Sequence, residues 1–403
     1  MAIAGLAARH SLFWLVAANA VGLWLAALLL WPGLGDLAAP LTYGRWMPLH
    51  LNWQLYGWCA LPLVAVLLHW YLDDAHPQAV GQARVALTAW TAALAVGGAS
   101  WLAGRTSGKL FLDWRGTARG LLPAAMLALW TVLAAHTWWR RAALGRAGLL
   151  LRAGLLLVLL GVPPALYLAA GREFYPAVNP DSGGATGTAL LGSTLGIVTL
   201  FGLLPVMLGL RRAASARWFW AALAASWGIF AGMKHGNVSH HLPGQVIGLG
   251  LLFAWVPLLL IFWTRYDWPA GARKWLLAAF VWWLFLVVSG WLAFLPGWSE
   301  RWKFTNGLVA HAHLAMAGLV TSVNALILLA LGGRLEHRGA FWLWQTGCAM
   351  QVVLLLAMGW VESEQAGALF RSEPWTQWLY GGRLAAGLEM AAASGLWLRE
   401  AFR

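Results

Sequence analysis

The sequence predicts an all-α membrane protein of twelve transmembrane helices forming a single domain over residues 1–403, on three observations. First, 61% of the residues are hydrophobic and only 10% are charged. A soluble core cannot hide that much apolar surface, whereas a bilayer accepts it if each crossing satisfies its own backbone as a helix. Second, the apolar residues fall in runs of about 20, enough to cross a hydrocarbon core of about 30 Å. Third, Lys and Arg collect in short loops between these runs, so the net charge of +13 reads as membrane topology, with no nucleic acid implied. Disorder, collagen-like repeats and disulfide scaffolds are excluded by the same composition.

Taken in order, the first run, Ser11 to Trp31, is too long for the apolar part of a secretion signal and no small-residue cleavage site follows it, so it reads as a span. His50 to Leu72, Arg84 to Leu102, Leu121 to Trp139, Leu149 to Ala170 and Gly187 to Leu210 follow as uninterrupted apolar runs between loop signals. The second half repeats the pattern with Phe219 to Met233, Gln245 to Trp263, Trp275 to Phe294, Leu308 to Leu331, Phe341 to Val361 and Trp378 to Trp397. An even count puts both termini on one side. That side carries 16 of the 27 Lys and Arg residues against 10 on the other, with Arg383 inside the last span, so the bias places both termini in the cytoplasm. The loop with Arg105, Lys109, Arg115 and Arg119 runs against it.

Ionisable side chains in a membrane are costly and mark functional positions, which makes the eleven histidines informative. On this topology His50, His235, His240, His241, His311 and His313 converge on the outer leaflet. His10, His76 and His337 sit at cytoplasmic ends and His69 and His136 near inner ends, where interfacial roles suffice. In Val309-Ala310-His311-Ala312-His313 the two imidazoles are separated by about 200° around a helix, so they cannot share one metal. They can each grip a separate cofactor on either side of the helix, or be a plain polar pair between helices. Neutral imidazole is a common axial ligand of heme iron; two close both axial positions and one leaves an open site. Cys59 and Cys348 stand alone, with no C-x-x-C-H, which argues against covalent heme and thiolate metal sites.

Gly44-Arg45-Trp46-Met47-Pro48-Leu49-His50-Leu51-Asn52 resembles the G-R-x-x-P-L-H-x-N segment of subunit I of the heme-copper oxidase superfamily, nearest its cbb-type branch, and Phe304-Thr305-Asn306 with the following His311 and His313 resembles that family's tenth helix. The resemblance covers essentially the whole chain. It implies a twelve-helix bundle in which His50 and His313 ligate a low-spin heme and His311 ligates a high-spin heme and is the catalytic position. Gly108-Lys109-Leu110-Phe111-Leu112-Asp113 is similar to the acidic stretch near the heme propionates, and Tyr380-Gly381-Gly382-Arg383 with Gly387 resembles the last helix, which implies Arg383 as a propionate or structural partner. Two b-type hemes, a bacterial-type inner membrane, additional small membrane or cytochrome subunits, and an outer-side cytochrome c, cupredoxin or quinol as electron donor are likewise implied.

The chain departs from that family where the second metal is held. Gly183 stands where a ligand His is expected, Lys234 replaces the first His of an adjacent pair and leaves His235, Trp227-Gly228-Ile229-Phe230 offers no phenol, and Ser289 stands where the cbb-type branch has a Glu. Losing these together argues against four-electron oxygen reduction and for a membrane b-type cytochrome whose open heme binds a small gas. A loop could still gather His235, His240 and His241 around copper, zinc or iron and restore oxidase or nitric oxide reductase chemistry, although Gly236, Asn237 and Pro243 favour a solvated loop. A twelve-helix transporter and a heme-handling protein without redox turnover are the competing classes.

Overall fold

In the computed structural model the chain is described from residue 2 to residue 402, apart from residues 74, 75, 214, 336, 366, 371 and 372. The long helices are α1 Ile3–Leu30, α2 Tyr43–Tyr71, α3 Ala79–Leu102, α4 Gly116–Trp139, α5 Arg146–Ala169, α6 Gly187–Met207, α7 Arg217–Gly232, α8 Pro243–Trp263, α9 Ala270–Leu292, α10 Asn306–Ala330, α11 Arg338–Glu364 and α12 Pro374–Ala401. Among the described residues, ten of these, all but α7 and α12, are long and apolar enough to cross a membrane. With 16 residues α7 reaches only about 24 Å, and α12 carries Arg383, Glu389, Arg399 and Glu400 along its 28 residues.

Several helices run past the apolar stretches that predict them. Arg9 and His10 do not break α1, because Arg9 donates to the Ala401 carbonyl at 3.1 Å and His10 bonds Thr91 at 2.7 Å. The second helix starts at Tyr43 after an extended Thr42, so His50 lies about two turns inside it and does not open it. Both α2 and α10 widen from α to π geometry, at Trp53–Cys59 and Leu314–Val320, just beyond their histidines. Such wide turns occur often at functional sites.

The chain divides into two compact units. The first comprises Met1–Tyr175, Ile327–Trp344 and Gly387–Arg403. In a bilayer, hiding apolar surface does little to pair helices, so close packing over small residues holds them. Here Gly57 lies under Trp14, Gly97 under Trp114 and Gly98 under Trp53, each with its Cβ position 2.6 Å from an indole-side carbon. Three indoles of this unit also find acceptors: Trp53 donates to Leu94 O at 3.0 Å, Trp90 to Tyr56 O at 2.9 Å and Trp101 to Asp113 O at 2.9 Å.

The second unit comprises Pro176–Leu326 and Gln345–Ala386. Its α6 and α8 meet where Gly187 faces the Gln245 backbone, and α10 meets α11 where Gly359 faces Gly307. Phe219 and Phe262 stack at 3.8 Å over Gly202 and Trp255, an aromatic layer that ties α7 to α6 and α8.

Candidate functional site

In the first unit, the stretch from Gly44 to Asn52 is fixed by its own polar groups. Arg45 donates to Leu102 O at 3.0 Å, and Asn52 donates to Pro48 O at 2.8 Å and to Asp113 Oδ2 at 3.2 Å. His50 donates its Nδ1–H to Ala18 O at 2.9 Å, which assigns the ring's lone pair to Nε2. The ring is held against α1, where a Cβ at Gly22 would lie 2.7 Å from Cε1. Asp113 is 4% exposed. Burial pushes its carboxyl up to about 6, against the lowering effect of the bonds from Asn52 and the Gly108 amide.

In the second unit, α10 is anchored at its start. Thr305 accepts from Gly307 N at 3.1 Å, and Glu362 accepts from Asn306 N at 2.6 Å and from Asn306 Nδ2 at 3.0 Å. A carboxylate on the first-turn amides is stabilising at that end of the helix dipole. His311 follows about 7 Å along the axis. Ser289 of α9 donates to Leu286 O at 3.2 Å and lies 2.9 Å from His311 Nδ1. The assignment that satisfies every donor has His311 Nδ1–H donating to Ser289, with the lone pair on Nε2. A Cβ at Gly290 would lie 2.9 Å from His311 Cε1, so α9 clamps the ring from one side. His313, on another face, donates Nδ1–H to Val309 O at 2.8 Å, which assigns the lone pair to Nε2.

His311 lines a cavity of about 450 Å³ within the second unit. Ile197, Leu249, Trp283, Val287 and Leu319 give it apolar walls, and Ser182, Ser299 and Lys303 give it a polar rim. Lys303 donates to Ser182 O at 2.7 Å, and burial lowers its ammonium pKa. A cavity of this size and character is typical of ligand sites. Arg383 packs its guanidinium 3.8 Å from Met358 Sδ in the same unit.

The loop after α7 differs from the solvated one the sequence favours at one decisive residue: His240 is fully buried. Its Nδ1–H donates to Phe294 O at 3.2 Å, and its Nε2 lies 2.8 Å from Glu300 Oε1 and 3.9 Å from Asp181 Oδ2. Among the described residues, Asp181, His240 and His241 bring ligand atoms within 4.8 Å of one another. His235 stands outside this group, donating Nε2–H to Phe230 O at 3.1 Å and packing edge-on to that ring. Gly183, the expected ligand position, takes φ +62° in a turn before α6.

Of the remaining histidines, His136 bonds Gln82 at 2.8 Å, His76 stacks on Trp139 and His337 accepts from Ala340 N at the start of α11, all structural roles. Sequence reasoning missed Ser289, Glu362, Lys303, Asp181 and Glu300 as site residues. Only Ser289 left a signal, as a polar residue deep in an apolar run. No family model and no curated protein matches the chain.

Proposed function

We propose that the chain is a membrane b-type cytochrome of the heme-copper oxidase type, with twelve membrane helices, cytoplasmic termini and its cofactor sites toward the outer leaflet. One observation carries this reading: an imidazole held at Nδ1 by Ser289, 2.9 Å away, lines an apolar cavity with a cationic, polar rim. That donor set suits a flat macrocycle with an apolar body and acidic edge groups. His311 would hold the iron, Ser289 and Gly290 fix the imidazole in orientation, the leucine, isoleucine and tryptophan walls exclude water, and Lys303 on the rim would meet the acidic edge groups. When bound there, a heme would supply one-electron transfer and small-gas binding. His50 and His313, each held at Nδ1 inside its own unit, are each proposed as a ligand of heme iron. An outer-side cytochrome c, cupredoxin or quinol would be the donor.

The test is a reduced-minus-oxidised optical spectrum of purified protein, with and without carbon monoxide, on wild type, His311→Ala and His313→Ala. The expected result is low-spin b-type bands lost in His313→Ala and a carbon-monoxide response lost in His311→Ala. Protein purified without heme from heme-replete cells overturns the reading.

A further inference from the structure

We propose that Asp181, His240, His241 and Glu300 bind one divalent first-row transition ion of the zinc class, outside the His311 cavity and independent of any heme.

His240 carries the inference. Its side chain is wholly buried, and with Nδ1–H donated to the Phe294 carbonyl at 3.2 Å its lone pair is on Nε2. That nitrogen makes no aligned hydrogen bond, yet it stands 2.8 Å from one carboxylate oxygen and 3.9 Å from another. A buried ring nitrogen facing two carboxylates is unfavourable unless positive charge is supplied at that point, which a metal ion held jointly by these groups would do. His241 adds a second imidazole, and three of the groups lie within 4.8 Å of one another; tetrahedral ligands about 2.0–2.2 Å from zinc stand about 3.4 Å apart, so these three draw together while the 2.8 Å His240–Glu300 pair opens. Two neutral imidazoles with two carboxylates balance a dication.

The supporting groups aim the ligands as outer-shell partners of a metal do. Ser239 donates to Asp181 Oδ2 and accepts from His241 N, and the Gly297 amide donates to Glu300 Oε2 at 2.7 Å, leaving Oε1 for the ion. Asp181 and Glu300 are about one-third exposed, which gives the ion an entry path. The ligands come from three stretches of the second unit, before α6, between α7 and α8, and between α9 and α10. Their neighbours Ser182 and Phe294 line the His311 cavity. The ion therefore clamps the loops that close that cavity.

The experiment uses the full-length chain in detergent with its affinity tag removed, stripped with chelator and dialysed against zinc, with bound metal measured by atomic emission. The expected result is one zinc per chain, at least tenfold weaker binding in Asp181→Asn and His240→Gln, and unchanged binding in His235→Ala. Wild type should show a melting midpoint that rises with zinc while both ligand variants, helical by circular dichroism, show none. Equal zinc uptake by wild type and an Asp181→Asn, His240→Gln double variant overturns the proposal, as does no uptake by wild type. Neither outcome depends on heme content, so the cytochrome reading stands or falls separately.

Discussion

Replacing Asp113 by Asn tests whether the polar contact beneath the His50 segment is a buried, proton-holding one. The carboxyl is 4% exposed and its pKa is raised from 3.8 to about 6. A folded-state pKa above the unfolded value means the folded chain binds this proton more tightly, so the contribution of Asp113 is most favourable below about pH 4 and is lost as pH rises through about 6. A shift of about 2 units at about 1.36 kcal/mol each sets a ceiling of about 3 kcal/mol, and residual hydration at the end of the bundle brings the figure to about 1–3 kcal/mol. The amide of the Asp113→Asn variant keeps an acceptor for Asn52 and carries no charge. The variant should therefore melt higher than wild type at pH 7 and converge with it near pH 4. The assay is intrinsic tryptophan fluorescence during heating in detergent, from pH 4 to pH 8, read as the difference between the two proteins so that other titrations cancel. A difference that is constant across this range, or one that grows toward acid, refutes the account.

The neighbouring glycines give sharper steric tests. Gly290→Ala puts a Cβ 2.9 Å from His311 Cε1; it should cost about 1–3 kcal/mol in melting stability and alter the carbon-monoxide difference spectrum without removing the low-spin bands. Gly22→Ala does the converse at His50, 2.7 Å from Cε1, and should perturb the low-spin bands alone. Glu362→Ala strips two bonds from the start of α10, with an expected loss of about 1.5–3 kcal/mol seen as a lower melting midpoint. Phe219→Ala opens the stacked layer under α7, expected at about 3–5 kcal/mol, with no change in any cofactor band at low temperature.

The helical membrane class was legible because composition and run length answer to the bilayer alone, and the helices sit over the predicted runs, most ends within a few residues but the first two starting well ahead, at Ile3 against Ser11 and Tyr43 against His50. Those shifts arise where polar residues stay helical because another helix satisfies them, as Thr91 does for His10. The short α7 and the charged α12 differ from the ten apolar helices for opposite reasons, length in one and Arg383 and Glu389 in the other. The histidines were legible as individuals, since an imidazole in an apolar run is conspicuous. Their partners were not: Ser289 meets His311 across 22 positions, Glu362 meets Asn306 across 56, and Glu300 meets His240 across 60. No periodicity encodes such pairings. His235 shows the opposite failure, because closeness in sequence to His240 and His241 suggests a shared site, while a bond to Phe230 at the end of the preceding helix turns the ring away.

One pattern separates the candidate ligands from ordinary polar residues between helices. His50 and His311 lie in different units, on helices with no sequence repeat between them, yet each has its Nδ1–H committed to an oxygen acceptor, each presses on a glycine of a neighbouring helix, and each is followed by a π segment. A histidine that only pairs two helices needs a single hydrogen bond and tolerates rotation about its χ angles. A metal ligand needs one tautomer, one ring plane and an Nε2 aimed at a fixed point, and the entropy of fixing the ring must be met before the ligand arrives. Glycine under the ring removes the space into which it could swing, and the wide π turn adjusts the helical register below it, so both devices act on orientation and contribute little to pairing. Their occurrence together, twice, is what a demand for preorganised Nε2 ligands would produce. If Gly22→Ala and Gly290→Ala lowered stability equally but left every spectral band unmoved, the glycines would be mere packing and preorganisation of the two rings would be refuted.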